Sequence, residues 1–313
     1  MLERYRTTGG VTTKVDDLEE GTWVKLVSPT ADEADEISHV LGIDRDDLLA
    51  AMDPEEKTRV EMEGADLMIL VDVPASGETP GEKARNTIPL SIFLTKTHVV
   101  TVCAEDLPFL ADFHEGRVRG FSTWSRSRFA CAVLMRISLV YQRVLVDIDR
   151  RRNEFETRID DIHDENDLLA LHALESSLVY LSTSLRGNGN ALMRLKRSRR
   201  LLAHVGIEEM LEDTIVENQQ AIEMAQIYRD VMSGTRDLLS SVMDLRLNEV
   251  MRRLTVITMV LSIPTIVSGF YGMNVDDDWM PLANTAHGFG IICILTMLVC
   301  IVLTIYLKKR KLY

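Results

Sequence analysis

The residues whose types and spacing best suit a chemical function lie near the C-terminus, where a stripe of small polar side chains leads into a Gly-Met-Asn sequence. Alternating steps of three and four residues place the members of this stripe on one helical face at heptad period. Two roles fit the stripe equally well: close helix packing, in which Gly, Ser and Thr are enriched, and the lining of a water-filled pore. The members are Asn248, Met251, Thr255, Thr258, Ser262, Thr265, Gly269 and Gly272.

Oxygen-bearing side chains follow the stripe directly. Asn274 closes the sequence Gly272-Met273-Asn274, and three carboxylates come soon after it, at Asp276, Asp277 and Asp278. A neutral amide oxygen can hydrogen-bond the water shell of Mg²⁺, an ion that dehydrates reluctantly, without holding it too tightly for release. The carboxylates would concentrate cations at an entrance, with a solvated loop as the alternative. The end of the stripe therefore favours a cation pore over packing.

Two uncharged runs supply the helices that must position these residues. Leu254 to Val275 contains 22 residues without a charge and His287 to Leu307 contains 21, each enough to cross a hydrocarbon core. A pair of buried core helices is the alternative, but such helices are usually shorter. Basic residues flank both outer ends, at Arg252-Arg253 and at Lys308-Lys309-Arg310-Lys311, which predicts a membrane hairpin with both chain termini in the cytoplasm.

The composition of the remaining chain is that of a soluble, acidic protein. The net charge of the 313 residues is −13, and residues 254–313 carry one net positive charge, so the body before them carries −14. Such a body argues against nucleic acid as a partner and for cations. Four cysteines form no Cys-x-x-Cys pair, and no nucleotide-binding, nucleophile or metal-hydrolase motif is present, so an enzyme is not expected.

The chain divides into regions of different periodicity. Residues 1–120 predict a cytosolic α/β domain, with a hairpin turn at Thr95-Lys96-Thr97. Residues 121–206 predict long helices that are interrupted at Arg186-Gly187-Asn188-Gly189-Asn190. A helix of some 65 residues is predicted from Ile207 onward. The boundaries that follow are a stalk helix over 207–275 with the first span at 254–275, an outer loop at 276–286, a second span at 287–307 and a basic tail at 308–313.

The whole pattern resembles the CorA family of magnesium and cobalt transporters. The resemblance is tightest at Asn248-Glu249-Val250-Met251, at Pro264-Thr265 and at Tyr271 to Asn274. It implies a homopentameric, funnel-shaped channel of the cell membrane, embedded in the lipid bilayer, with the first span lining the pore. It implies uptake of Mg²⁺, with Co²⁺ and Ni²⁺ as further ions, and no organic cofactor.

Individual roles follow from the same resemblance. It places an apolar constriction at Met251 and Leu254, and Asn248 and Thr265 match further pore-lining positions. Gly272 is expected to allow a tight turn at the pore mouth, and Met273 to pack behind it. Ser262 stands where some relatives have methionine, so the profile of the gate is expected to differ in detail.

A regulatory metal site is also implied, because relatives bind Mg²⁺ between cytosolic domains and close in response. One partner matches Asp213, with Glu212 beside it, but the family's Glu-Asp pair is replaced here by Leu49-Ala50. Carboxylates close by could supply substitute oxygens. They are Asp46, Asp47, Asp53, Glu55 and Glu56, with Asp53 the favoured ligand and helix capping or solvation the alternative for most.

Two other functions fit the sequence. A relative of the same architecture could carry Zn²⁺ or export metal, since the Gly-Met-Asn motif is shared. A membrane-anchored coiled-coil scaffold or sensor would use the two spans only as an anchor and would conduct nothing.

Overall fold

The computed structural model describes most of the chain. The described residues are 1–63, 66–75, 87–157, 165–198, 206–274, 280–282, 285 and 287–310. The chain forms two compact units, Met1–Arg236 and Asp237–Tyr313.

The first unit contains a seven-stranded mixed sheet in the order β2-β1-β3-β7-β6-β5-β4. β3 and β7 are parallel and the other neighbouring pairs are antiparallel. The turn predicted at Thr95-Lys96-Thr97 is confirmed, since β6 and β7 pair as a hairpin and the Thr95 amide donates to the His98 carbonyl at 3.0 Å. The strands are β1 (Leu2–Thr8), β2 (Val11–Lys14), β3 (Thr22–Val27), β4 (Arg59–Glu63), β5 (Asp66–Pro74), β6 (Thr87–Leu94) and β7 (Val99–Cys103).

Short helices and two long ones accompany this sheet. The short helix α1 (Ala31–Leu41) begins with a capping box between Thr30 and Glu33 and ends at Gly42, whose φ of 70° is left-handed. The others are α2 (Arg45–Leu49) with a 3-10 turn at Ala50–Met52, α3 (Pro108–His114), α4 (Arg126–Thr157) and α5 (Glu165–Lys196). The core includes the fully buried Trp23, Phe113, Phe129 and Tyr141.

The predicted break at Gly187-Asn188-Gly189 is wrong, because α5 runs through these residues without interruption. The two glycines serve close packing instead. A Cβ on Gly187 would lie 2.6 Å from Thr58 Oγ1, and one on Gly189 would lie 3.1 Å from Asn218 Nδ2. The sequence pattern is therefore that of a helix pressed against its neighbours rather than of a loop.

Asn188 completes the edge of the sheet. β4 pairs with β5 only as far as Leu70, so Asp72 of β5 pairs with Pro89 of β6 on one side and has no strand partner on the β4 side. The side-chain amide of Asn188 takes that place, since Oδ1 accepts from the Asp72 amide at 2.9 Å and Nδ2 donates to the Asp72 carbonyl at 2.7 Å. The Tyr141 hydroxyl donates to the same carbonyl at 3.1 Å.

Two further helices complete the described chain. α6 (Ile207–Tyr271) has 65 residues, as the sequence predicted, and it passes through both units. α7 (Gly288–Lys309) has 22 residues and belongs to the second unit. Pro264 lies inside α6.

Replacing Asn188 by alanine is expected to destabilise the first unit. The change removes two hydrogen bonds and leaves the half-buried Asp72 amide without its acceptor, a loss of about 1 to 3 kcal/mol. Thermal unfolding of the full chain in detergent, followed by circular dichroism, measures it. Asn190→Ala is the matched control, because Asn190 is exposed on the same helix. Equal melting temperatures for the two variants would contradict the structural role of Asn188.

Candidate functional site

Four of the described helices are long and apolar enough to cross a membrane: α4, α5, α6 and α7. The apolar windows of α4 and α5 are 50% and 44% buried inside the protein, whereas those of α6 and α7 are only 6% buried. A soluble protein does not leave such long apolar surfaces uncovered. The last two helices are therefore the candidate membrane spans.

α7 packs against one face of α6. Val256 is the most buried residue of this part of α6, at 7% exposure, and Val260 and Val267 contribute to the same face. A cavity of about 500 Å³ lies between the two helices, lined by Val260, Pro264 and Val267 of α6 and by Cys293, Met297 and Cys300 of α7, among others.

The polar stripe from Asn248 to Gly272 lies on the opposite face of α6. At about 100° per residue its mean direction is roughly 180° from that of Val256, Val260 and Val267. Most of its members are exposed, and only Ser262 is half-buried. Leu254, beside the stripe, is 55% exposed and Met251 is 52% exposed. No described residue of the same chain covers this face to any large extent.

The hydroxyls of the stripe are bonded to their own helix. Thr255 Oγ1 donates to the Met251 carbonyl at 2.8 Å, and Thr258 Oγ1 to the Leu254 carbonyl at 2.9 Å. Ser262 Oγ and Thr265 Oγ1 make the same bond, at 2.6 and 3.0 Å, to the carbonyls four residues earlier. Each hydroxyl has one hydrogen, so its oxygen remains available only as an acceptor. The stripe thus offers acceptors and no free hydroxyl donors.

The Gly-Met-Asn sequence follows the last residue of α6. The Gly272 amide donates to the Ser268 carbonyl at 2.9 Å, and the Met273 amide donates to the Phe270 carbonyl at 3.3 Å. The Tyr271 hydroxyl donates to the Pro281 carbonyl at 2.6 Å, which ties the segment after the motif back to the helix end. Asn274 is exposed. Asp276, Asp277 and Asp278 lie outside the described residues.

Two details of the motif differ from the sequence predictions. Gly272 has no left-handed φ; a Cβ there would approach the Ser268 carbonyl oxygen to 3.2 Å, so close contact rather than backbone freedom favours glycine. Met273 is 56% exposed, so within this chain it does not pack behind the turn.

Pro264 leaves a carbonyl of α6 without its helical donor, and a side chain of α7 donates a hydrogen bond to it. Proline has no amide hydrogen, so the carbonyl of Val260 loses its helical donor. The thiol of Cys300 on α7 lies with its Sγ 3.7 Å from that carbonyl oxygen and donates to it. The presence of Pro264 could have predicted the unpaired carbonyl, but no local signal in the sequence identified Cys300 as its partner.

The residues predicted to hold a regulatory metal lie in the first unit and do not form a ligand cluster. Among the described residues, no group of three or more His, Cys, Asp and Glu side chains could hold a metal ion. Glu212 accepts from Lys196 at 2.8 Å, a hydrogen bond that raises the pKa of Lys196. Asp213 is exposed, and Asp53 Oδ1 accepts from the Glu55 amide at 2.9 Å as a turn cap.

Around Leu49-Ala50, which replaces the family's acidic pair, the side chains are either apolar or already held in ion pairs. Ala50 is 8% exposed and belongs to the core cluster between the sheet and α2. Asp47 and Glu56 form ion pairs with Arg59, at 3.7 and 2.6 Å. Asp47 and Glu56 are therefore already engaged within the chain itself.

Comparison with known proteins gives the class that this arrangement defines. The family model described as "CorA-like Mg2+ transporter protein" matches residues 19–309. The cobalt/magnesium transport protein CorA of Methanocaldococcus jannaschii is 26% identical over 300 residues, which are 92% of this chain and 90% of that protein.

Solved structures share the fold. The complete structure of the CorA magnesium transporter from Methanocaldococcus jannaschii matches with a TM-score of 0.81 and 23% identity, over 98% of this chain and 97% of that one. The cytoplasmic domain of ZntB from Vibrio parahaemolyticus matches with a TM-score of 0.63 and 12% identity, over 77% of this chain and 97% of that one. The fold is a soluble α/β region with a long helix and two C-terminal apolar helices. The chain belongs to the CorA-like Mg²⁺ transporter family.

A double-mutant cycle tests the contact between the two spans. Cys300→Ala is expected to destabilise the protein when Pro264 is present and to have less effect after Pro264→Ala, because alanine restores the amide donor to the Val260 carbonyl. The expected coupling is about 0.5 kcal/mol or more, measured by thermal unfolding in detergent. Cys293→Ala, in the same cavity, controls for lost volume. Purely additive effects of Pro264→Ala and Cys300→Ala would rule out the bond.

Proposed function

We propose that this chain is one subunit of a homopentameric channel that lets divalent cations, chiefly Mg²⁺, enter the cell. The observation that carries the proposal is the exposed row of acceptor oxygens on α6, opposite α7 and ending at Gly272-Met273-Asn274. Membership of the family, and the transport of cobalt and magnesium named for the Methanocaldococcus jannaschii protein, support it.

The exposed stripe is the argument for several copies. In hydrocarbon, polar side chains face other helices or water-filled cavities rather than lipid. α7 occupies the other face of α6, so the stripe needs cover that α7 does not give. Copies arranged about an axis with their stripes inward enclose a polar path and form a closed ring. The number five follows from the family resemblance.

The chemistry of the lining suits a hydrated cation. A Mg²⁺ ion that keeps its waters presents hydrogens outward, and acceptor oxygens bind those hydrogens. Thr255, Thr258, Ser262 and Thr265 have committed their own hydrogens to the helix, so they present acceptors to the path. A ring of Asn274 amides at the mouth would select the hydrated ion with neutral oxygens. A carboxylate ring would hold the ion harder and release it more slowly.

Gating and driving force follow from the same arrangement. Rings of Met251 and Leu254, both exposed in the single chain, would form the apolar constriction that closes by dewetting. With both termini in the cytoplasm, Asn274 and Asp276 to Asp278 would face the outside. The membrane potential contributes about 2.3 kcal/mol per charge for each 100 mV, and twice that for a divalent ion, so no fuel site is needed.

We further propose that cytosolic Mg²⁺ still closes the channel, through Asp213 with Glu212 and Asp53, but with altered affinity. Asp213 is exposed on α6 and open to a ligand from a neighbouring copy. Leu49-Ala50 removes one acidic partner, and the hydrogen bond from Lys196 competes for Glu212. Both departures weaken cation binding.

Asn274→Ala is expected to abolish Mg²⁺ selectivity or Mg²⁺ flux, because it removes the proposed ring of amide acceptors. Flux into proteoliposomes with a negative interior potential measures it, with Mg²⁺, Co²⁺ and Zn²⁺ compared. Asn153→Ala, at an exposed position of α4, is the matched control.

Other outcomes of this flux assay identify the alternatives. Unchanged flux in Asn274→Ala would contradict the selectivity ring, and no flux in the wild-type protein would favour a membrane-anchored scaffold. Preference for Zn²⁺, or flux only in the outward direction, would indicate a zinc carrier or an exporter.

Internal Mg²⁺ in the millimolar range is expected to reduce flux, and Asp213→Ala is expected to shift this inhibition to higher concentration. Lys196→Gln is expected to shift it to lower concentration, because it releases Glu212. Asp244→Ala, an exposed carboxylate further along α6, controls for net charge. Equal flux with and without internal Mg²⁺ in the wild-type protein would reject gating by this ion.

A further inference from the structure

A cavity in the first unit has a lining of opposite character to the ion pathway. Its volume is about 360 Å³, and it lies between the start of β4 and the end of α5. Its described polar lining consists of Thr58, Arg59, Asn190, Arg194 and Arg197, and the two other lining residues are apolar. None of these described lining residues is acidic, although the chain has 48 Asp and Glu residues.

Two of the three arginines have no carboxylate partner among the described residues. Lys196 lies between Arg194 and Arg197 in sequence and pairs with Glu212 at 2.8 Å. In the part of the chain that the structure describes, Arg194 and Arg197 form no ion pair, and both are exposed. They supply two uncompensated positive charges to one side of the cavity.

The third arginine is held in place from behind. Arg59 Nε donates to Glu61 at 2.6 Å and Nη1 donates to Glu56 at 2.6 Å. Nη2 forms an ion pair with Asp47 at 3.7 Å, which is too long for a hydrogen bond, so its hydrogens stay available. Arg59 thus contributes oriented donors rather than surplus charge.

Stabilisation of the helix end explains only part of this cluster. Cations in the last turn of a helix interact favourably with the helix dipole, which accounts for Arg194 and Lys196 on α5. It does not account for Arg59, which reaches the same cavity from β4, or for the amide of Asn190 and the hydroxyl of Thr58. The walls are also closely packed, since Gly187 of α5 leaves no room for a Cβ against Thr58.

We propose that this cavity binds a small phosphorylated anion of the pyrophosphate class. Guanidinium groups bind phosphate oxygens with paired, charge-assisted hydrogen bonds, and arginine is the side chain best suited to this geometry. The cavity volume is at the lower end of the range for small-molecule sites, which fits a pyrophosphate group or the phosphate chain of a nucleotide. The site is separate from the proposed cation path and does not depend on transport.

The test is calorimetric titration of the full-length protein in detergent with pyrophosphate, in buffer without Mg²⁺ so that the anion stays uncomplexed. Saturable binding is expected, tighter than for inorganic phosphate or sulfate, because two phosphoryl groups can contact both sides of the cavity. A parallel titration with a nucleoside triphosphate shows whether a nucleotide also fits. Binding should weaken as salt is raised, since the arginines are exposed.

The paired variant Arg194→Gln with Arg197→Gln is expected to weaken pyrophosphate binding by about tenfold or more, because the uncompensated charge is lost. Arg186→Gln, an exposed arginine of the same helix outside the cavity, is expected to leave binding unchanged. If the paired variant does not fold, Arg194→Lys with Arg197→Lys keeps the charge but loses the paired donors, and weaker binding is again expected.

Two results would overturn the proposal. The first is the absence of saturable pyrophosphate binding in the wild-type protein, and the second is equal binding in the paired variant and Arg186→Gln. The first result has a further reading when the paired variant also dissociates into smaller oligomers. That result would assign the arginines to carboxylates of a second copy.

Discussion

A polar group placed in hydrocarbon must find its partner within the protein, and this constraint governs the described features of α6 and α7. Pro264 leaves the Val260 carbonyl without a helical donor, and the Cys300 thiol of α7 donates to it. The hydroxyls from Thr255 to Thr265 bond their own backbone. Among the described residues, no donor bonds to the remaining lone pairs of these hydroxyls, and the side-chain amide of Asn274 has no hydrogen-bond partner. In the proposed channel, neighbouring copies and the hydrated ion would supply those partners.

In the first unit, too, backbone polar groups need hydrogen-bond partners, and here a side chain supplies them. Where β4 ends, the half-buried backbone of Asp72 on β5 has no strand partner on the β4 side, and the side chain of Asn188 supplies both a donor and an acceptor there. Close approach of α5 makes this possible, and the glycines on either side of Asn188 permit that approach. The side chain of Asn188, inside a helix, thus forms the two backbone hydrogen bonds that a residue of a neighbouring strand would form.

This arrangement explains how far the sequence could predict the molecule. Signals carried by neighbouring residues were sufficient for α6, for the two apolar helices and for the hairpin at Thr95-Lys96-Thr97, because periodicity and turn chemistry are local. Gly187-Asn188-Gly189 led to the wrong prediction of a helix break, because the role of Asn188 depends on its bonds to Asp72, 116 residues away in sequence. The exposure of Met273 also depends on tertiary surroundings that no local pattern encodes.

The candidate site divides in the same way. The polar stripe could be located from its spacing and the Gly-Met-Asn sequence from the family resemblance, whereas the pairing of Glu212 with Lys196 and of Asp47 with Arg59 required the fold. These pairings matter chemically, because a carboxylate that already holds a cationic side chain must release it before it can bind Mg²⁺.

The two proposed sites of this chain differ in hydrogen bonding, since one offers acceptors and the other offers donors. Along α6 the hydroxyls donate their hydrogens to the helix itself, so the proposed path would offer oxygens to the outward hydrogens of a hydrated cation. In the cavity beside α5 the arginines offer donors, and Glu61 and Glu56 hold one of them from outside the lining. Net charge alone would predict attraction for cations everywhere on so acidic a chain. The local balance of donors and acceptors, rather than the total charge, therefore decides which ion each surface can bind.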